Sequence, residues 1–138
     1  MIGRQRDGKT GEFKDNEKRI MKDHQFRKLI VWQRAMAFVV KIYNLTSFFP
    51  KEEKFGLTNQ IRRAATSVPL NIAEGSGSGS NMEFCRFLHI AKRSVYEVIT
   101  GLEIANNLKY LKQEQHEIIK ESEEICLMIV GLINKLKK

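Results

Sequence analysis

The chain has 138 residues, 42% hydrophobic and 29% charged, a composition that fits one globular domain around one core. No apolar run approaches the roughly 20 residues of a membrane-spanning helix, and two cysteines, Cys85 and Cys126, do not make a secreted disulfide scaffold. The net charge of +8 and a pI near 9.6 point to a polyanion as partner, nucleic acid before an anionic membrane, although solubility alone explains such a surplus as readily.

Residues 1–24 mix both charge signs with glycines and few apolar side chains. Such a segment buries too little surface to offset its ordering entropy. It is expected to be a flexible charged arm, with a fraying helical turn near Asn16–Lys22, ahead of a folded domain over 25–138. Its basic residues outnumber its acids by only two, so most of the positive surplus lies in the folded part. The N-terminus has no apolar core of a signal peptide, and a reduced, cytoplasmic protein is expected.

The first helix is predicted over about Leu29 to Thr46. Trp32, Ala35, Val39, Ile42 and Tyr43 recur at helical spacing, with Met36 and Phe38 widening the stripe. "SFFPKEEKFG" then punctuates. Pro50 suits a first helical position, and Glu52 and Glu53 suit the positive end of a helix dipole.

The second helix carries Leu57, Ile61, Ala64, Ala65, Val68 and Ile72 at steps of three and four. That phase continues across Pro69. An interior proline removes a backbone donor and crowds the carbonyl four residues back, at about 3 kcal/mol or more. The preserved phase predicts a helix that kinks at Pro69 and runs on to Glu74, with Thr66, Ser67 and Asn71 placed to satisfy freed carbonyls. "GSGSGS" follows. It lacks the lysine and hydroxyl residue that close a phosphate-binding loop, and no strand precedes it. It reads as a flexible turn in which Gly75 takes a left-handed helix-end conformation; a backbone anion site at the next helix is the alternative.

The third helix begins with a capping-box pattern, Ser80 as N-cap and Glu83 three residues on. Phe84, Leu88, Ala91, Val95, Val98, Leu102 and Ala105 then alternate steps of four and three. The fourth helix follows "NNLKYLKQ" and repeats the rhythm through Ile118, Ser122, Ile125, Ile129, Leu132 and Leu136, with Lys135, Lys137 and Lys138 at its negative end. Long apolar seams joined by short connections predict an all-α, antiparallel up-down four-helix bundle. Part of its broad apolar surface is expected to meet another subunit.

Basic residues recur on the first three helices as Arg27, Lys28, Arg34, Lys41, Arg62, Arg63, Arg86, Lys92 and Arg93. Between Gly56 and Tyr96 the only acids are Glu74 and Glu83. The two readings are a solvated face and a phosphate-tracking surface. Aromatics do not interleave with these basics, so base-specific reading is not expected. Glu74, near the negative end of its helix, calls for an arginine partner, Arg62, Arg63 or one on another chain. Cys85 and His89 lie one turn apart and supply at most half a metal site. His24 and His116 are remote, and no Glu-x-x-His occurs. No nucleophile–base arrangement or paired carboxylates suggest an enzyme, and no cofactor is expected.

The segments "LIVWQRAM", "YNLTSFFPKEEKFGLTNQIRRAATSVPLNIAEGSG", "EFCRFLHIAKRSVYEVITGLEIA" and "LINKLK" closely resemble the four-helix-bundle proteins encoded in intervening sequences of bacterial 23S rRNA genes. The resemblance covers about Phe26 to the C-terminus. It implies an up-down bundle that assembles as a homo-oligomer, a pentameric barrel with a basic surface or channel. In the related accessory variability determinant proteins of diversity-generating retroelements, such a barrel binds a reverse transcriptase and nucleic acid. The family has no established catalytic residues. Its Ala-Arg-Gly-Ser stretch stands here as Ala91-Lys92-Arg93-Ser94, without the glycine.

The expected function is therefore a non-enzymatic, basic, oligomeric bundle that binds structured RNA, with a reverse transcriptase as a further partner. Phosphates would be met by Arg62, Arg63, Arg86, Lys92 and Arg93, and by Arg27, Lys28 and Arg34. Pro69, Asn71, Glu74 and Gly75 would shape the assembly. The alternative is a protein scaffold whose basic residues serve subunit interfaces.

Overall fold

Each helix forms where apolar residues recur at steps of three and four, and stops where that rhythm meets a turn. The computed structural model describes residues 25–138. Within them α1 spans Ile30–Thr46, α2 Leu57–Ser76, α3 Asn81–Asn107 and α4 Glu117–Lys137. Short 3-10 turns at Gln25–Lys28, Lys51–Glu53 and Gln113–Gln115 precede α1, α2 and α4. Among the described residues there is no strand. The expected arm over 1–24, with its turn near Asn16–Lys22, lies outside the described residues.

Side-chain pairs fix the directions of the helices. Ile61 lies against Gly101, Ser67 against Ser94, and Gly75 against Phe84 and Phe87, so α2 and α3 are antiparallel. Asn81 reaches Leu136 and Cys85 reaches Ile133, which sets α4 antiparallel to α3. Ion pairs Arg34–Glu124 and Lys41–Glu121 do the same for α1 and α4. Packing is densest between α2 and α3, and it joins consecutive helices and α1 with α4. The four helices thus close a ring in chain order.

Ile42, Ile61, Ile72, Leu88, Leu102, Ile125 and Ile129 lie fully buried at the centre, contributed by all four helices. Each such side chain contributes about 1.5–3 kcal/mol through burial. The polar atoms inside are paired: Ser122 donates to the Ile118 carbonyl and Thr46 to the Ile42 carbonyl. No buried side-chain nitrogen or oxygen among the described residues lacks a partner.

The buried seams of α2 and α3 match the predicted ones, whereas α1 is rotated from its prediction. Its buried stripe is Val31, Ala35, Phe38, Ile42 and Leu45, while Met36 and Tyr43 are exposed and Trp32 and Val39 half-buried. The helix carries only two charges, Arg34 and Lys41, so its pattern barely marks an outer face.

α2 is continuous through Pro69. Pro69 has no N–H for the Ala65 carbonyl. Around it, Thr66 Oγ1 donates to the Arg62 carbonyl at 2.8 Å, and Asn71 Nδ2 donates to the Ser67 carbonyl at 2.8 Å and Ser67 Oγ at 2.9 Å. Ser94 on α3 donates to the same Ser67 hydroxyl at 2.9 Å.

Gly75 corrects the expected helix-end role. It is helical and buried, and a Cβ there would lie 2.7 Å from Phe87 Cβ and 2.9 Å from Phe84 Cδ1. Its work is close packing, and Gly79, at φ 92°, takes the left-handed position instead. Gly101 is the matching contact from α3, where a Cβ would lie 2.6 Å from Ile61 Cγ1. Ser80 caps α3 as predicted, accepting from the Glu83 N–H at 3.1 Å. The Glu83 carboxylate, however, turns to Arg86 Nε at 3.0 Å.

Candidate nucleic-acid interface

The antiparallel ring brings the starts of α1 and α3 and the ends of α2 and α4 to one half of the bundle. That half, residues 25–38, 67–94 and 127–138, contains nine lysines and arginines and only two acids, Glu74 and Glu83. The other half contains eight basic residues and nine glutamates. The surplus of the folded part therefore sits at one end.

Arg27, Lys28, Arg34, Arg86, Lys92 and Arg93 fall in the basic half, joined by Lys135, Lys137 and Lys138 from α4. Arg86 and Arg93 are seven residues apart and share one exposed stripe of α3. Arg86 pairs with Glu83 and lies 4.6 Å over the Phe87 ring. Arg34 is held by Glu124 at 3.1 Å and Met128. Arg27 lies 5.2 Å over the Phe26 ring. Lys28 is exposed. Lys92 and Arg93 have no ion pair or hydrogen bond among the described residues.

His89 reports the local field. It lies half-buried on α3, and its pKa is pushed below the usual 6.5, first by burial and then by the positive charges of Lys92, Lys137 and Arg93. Lysines of two helices and an arginine thus converge on one imidazole.

Arg62 and Arg63 are adjacent in sequence and separate in role. Arg62 turns inward to the end of α1, where Nε donates to Thr46 Oγ1 at 2.8 Å and Nη2 to the Tyr43 carbonyl at 3.2 Å. Its guanidinium lies 4.5 Å over the Tyr43 ring. It ties α2 to the last turn of α1. Arg63 points outward and has no ion pair or hydrogen bond among the described residues. It lines an open groove of about 530 Å³ between α2 and α3, whose walls include Phe55, Asn59, Gln60 and Glu97 and whose far end reaches Ser67 and Ser94. Glu74 is exposed and has no ion pair among the described residues; of the arginines expected to meet it, Arg62 is committed to α1 and Arg63 lines the groove.

Sequence reasoning passed over the aromatics of the α1–α2 connection. Phe48 is 74% and Phe55 87% exposed, with Lys112 Nζ 6.0 Å from the Phe48 centroid and Lys54 Nζ 5.4 Å from that of Phe55. The signal was present in "FFPKEEKF", where phenylalanines flank two lysines. Nearby, Glu53 accepts from the Leu57 N–H at 3.1 Å and from the Tyr110 hydroxyl at 2.9 Å, binding this connection to the one after α3. That carboxylate, assisted by burial, raises the Tyr110 pKa above its usual value.

Among the described residues no three His, Cys, Asp or Glu side chains gather as metal ligands. Both cysteines are free thiols. No described helix is long and apolar enough to cross a membrane.

Among the described residues these features define a four-helix, all-α fold whose surplus of positive charge is collected in one half. The chain belongs to the 23S rRNA-intervening sequence protein family, whose sequence model matches residues 27–131. It is similar to a protein of unknown function from the S23 ribosomal protein family of Bacteroides thetaiotaomicron, whose crystal structure was solved at 1.70 Å. The two share 33% identity at a TM-score of 0.70, over 76% of this chain and 96% of the other. No match is found among curated proteins.

Proposed function

We propose that the protein is a non-enzymatic, oligomeric RNA-binding bundle of the bacterial cytoplasm. The observation that carries this reading is the collection of unneutralised cations at one half of the fold. Phosphate oxygens attract Lys and Arg without regard to sequence, and each contact releases counterions. Lys92 and Arg93 in that half, and Arg63 beside it on α2, are the principal contacts, because no acid among the described residues holds them. Arg86, Arg27, Lys28 and Arg34 contribute at the rim, the last against competition from Glu124. Arg62 is a structural tie and contributes little.

In this reading copies assemble as a pentameric barrel, and five chains carry a charge of roughly +40. A bend of α2 at Pro69 angles Asn71 and Glu74 toward the neighbouring subunit, where an arginine meets Glu74. A reverse transcriptase that carries its own RNA is a narrower version of the same partner.

Binding of a structured RNA measured at several salt concentrations tests the proposal. Affinity should fall steeply with salt, by about 0.7–0.9 in log–log slope per phosphate contact. Arg63→Glu and Arg93→Glu should weaken binding and leave the native mass intact. Absence of binding at low salt, or binding indifferent to salt, would refute it. The same variants dissociating the oligomer would favour a protein scaffold.

A further inference from the structure

The groove beneath Phe55 adjoins the basic half and differs from it in composition. It combines a ring almost wholly open to solvent, two side-chain amides, Asn59 and Gln60, a cation, Arg63, and a carboxylate, Glu97. A surface that serves solubility does not need the ring, and one that only tracks phosphates does not need the amides or the acid.

We infer that this groove takes an unpaired nucleobase of single-stranded RNA, stacked on Phe55. The inference rests on the RNA-binding reading above and specifies what that surface recognises. Exposed aromatic rings are stacking platforms for unpaired bases, because every base presents a π-face. Asn and Gln amides pair with base edges by donating and accepting together, and a glutamate accepts from an exocyclic amine. Glu97 therefore favours a base that carries an amino group. The backbone on either side of such a base needs cations, and Arg63 in the groove and Lys54 over the ring are placed to give them. Lys54 is exposed, so a base can displace it from the ring toward a phosphate. The volume, about 530 Å³, falls within the roughly 300–1,000 Å³ of small-ligand sites. Glu97 in the groove lies one helical turn after Arg93 on α3, so one strand can lie on the basic stripe of α3 and enter the groove. A duplex keeps its bases stacked inside and cannot use the site.

The test uses the full chain with two probes, a single-stranded RNA of roughly 12 nucleotides carrying one 2-aminopurine, and the same strand in a duplex. Phe55→Ala should weaken single-strand binding roughly five- to hundredfold and leave duplex binding unchanged. Phe55→Trp should keep single-strand binding and the change in 2-aminopurine fluorescence. Phe55→Ala binding the single strand as the wild type does overturns the inference and leaves the RNA-binding reading standing. A fall in native mass by light scattering for Phe55→Ala also overturns it, since the ring would then be a subunit contact. Failure of the wild type to bind either probe at low salt removes both.

Discussion

Replacing Arg62 and Arg63 one at a time by alanine separates structure from recognition at two consecutive positions. Arg62→Ala removes two hydrogen bonds from a charged donor to the end of α1. Such bonds contribute about 1.5–3 kcal/mol each when well buried, and half-exposure reduces this. The stacking on Tyr43 adds about 0.5–1 kcal/mol. The expected loss is about 2 kcal/mol. With a urea m-value near 2 kcal/mol/M, the midpoint should fall by about 1 M. Lysine should not restore it, because an ammonium cannot hold Thr46 and Tyr43 with the geometry of a guanidinium. Arg63→Ala removes no ion pair or hydrogen bond among the described residues and should stay within about 0.5 kcal/mol of the wild type. RNA affinity should show the opposite order, Arg63→Ala weakening it and Arg62→Ala sparing it at temperatures where the variant is folded. Both are measured at one protein concentration, since assembly couples to stability. Equal midpoints for the two variants would refute the assignment.

Three further outcomes follow from the packing and the charge. Gly101→Ala places a methyl 2.6 Å from Ile61 Cγ1; overpacking of about 1–3 kcal/mol exceeds the helix gain of at most about 1 kcal/mol, and in an Ile61→Ala background the same change should become neutral or stabilising, as a urea double-mutant cycle can show. His89 has a lowered pKa, so the unfolded chain takes up its proton first; stability should be complete above about pH 6.5 and fall as pH drops below it, and His89→Gln should flatten that slope in urea titrations. Pro69→Ala should change native mass more than circular-dichroism helicity; an unchanged oligomer of unchanged stability would show that Pro69 plays no part in assembly.

The parts of the fold legible in the sequence are those where charge marks the outer face. α3 interleaves its heptad seam with Arg86, Lys92, Arg93 and Glu97, and the predicted seam is the buried one. The continuity of α2 through Pro69 was legible because Val68 and Ile72 kept phase. α1 offered little polar contrast, and its stripe was misphased. Gly75 and Gly101 were illegible for a different reason. What a glycine accommodates lies on another helix, here Phe87 and Ile61, and neither spacing nor composition carries that. Arg62 and Arg63 were equivalent as letters. They stand about 100° apart around the helix, and only the position of α1 decides which one is consumed. Phe55 was read as punctuation because an apolar residue in a loop gives no sign of its exposure.

The charge pattern also weighs on the choice between an RNA partner and a purely protein assembly. Subunit interfaces can neutralise the basic half only with acids from another copy. The acids of the opposite half are already engaged in part: Glu121 and Glu124 hold Lys41 and Arg34, and Glu53 holds Tyr110 and the α2 N-terminus. Those that remain share their half with eight lysines and arginines. Packing basic ends against acidic ends in a closed ring would therefore still leave a positive excess on every subunit. An excess that the chain cannot neutralise with itself requires an outside polyanion or a salt atmosphere. Only the first is displaced stoichiometrically, so the salt dependence of RNA affinity and of native mass, measured on the same samples, separates the two readings. Steep dependence of the affinity with a constant mass supports the RNA reading; steep dependence of the mass refutes it in favour of the scaffold.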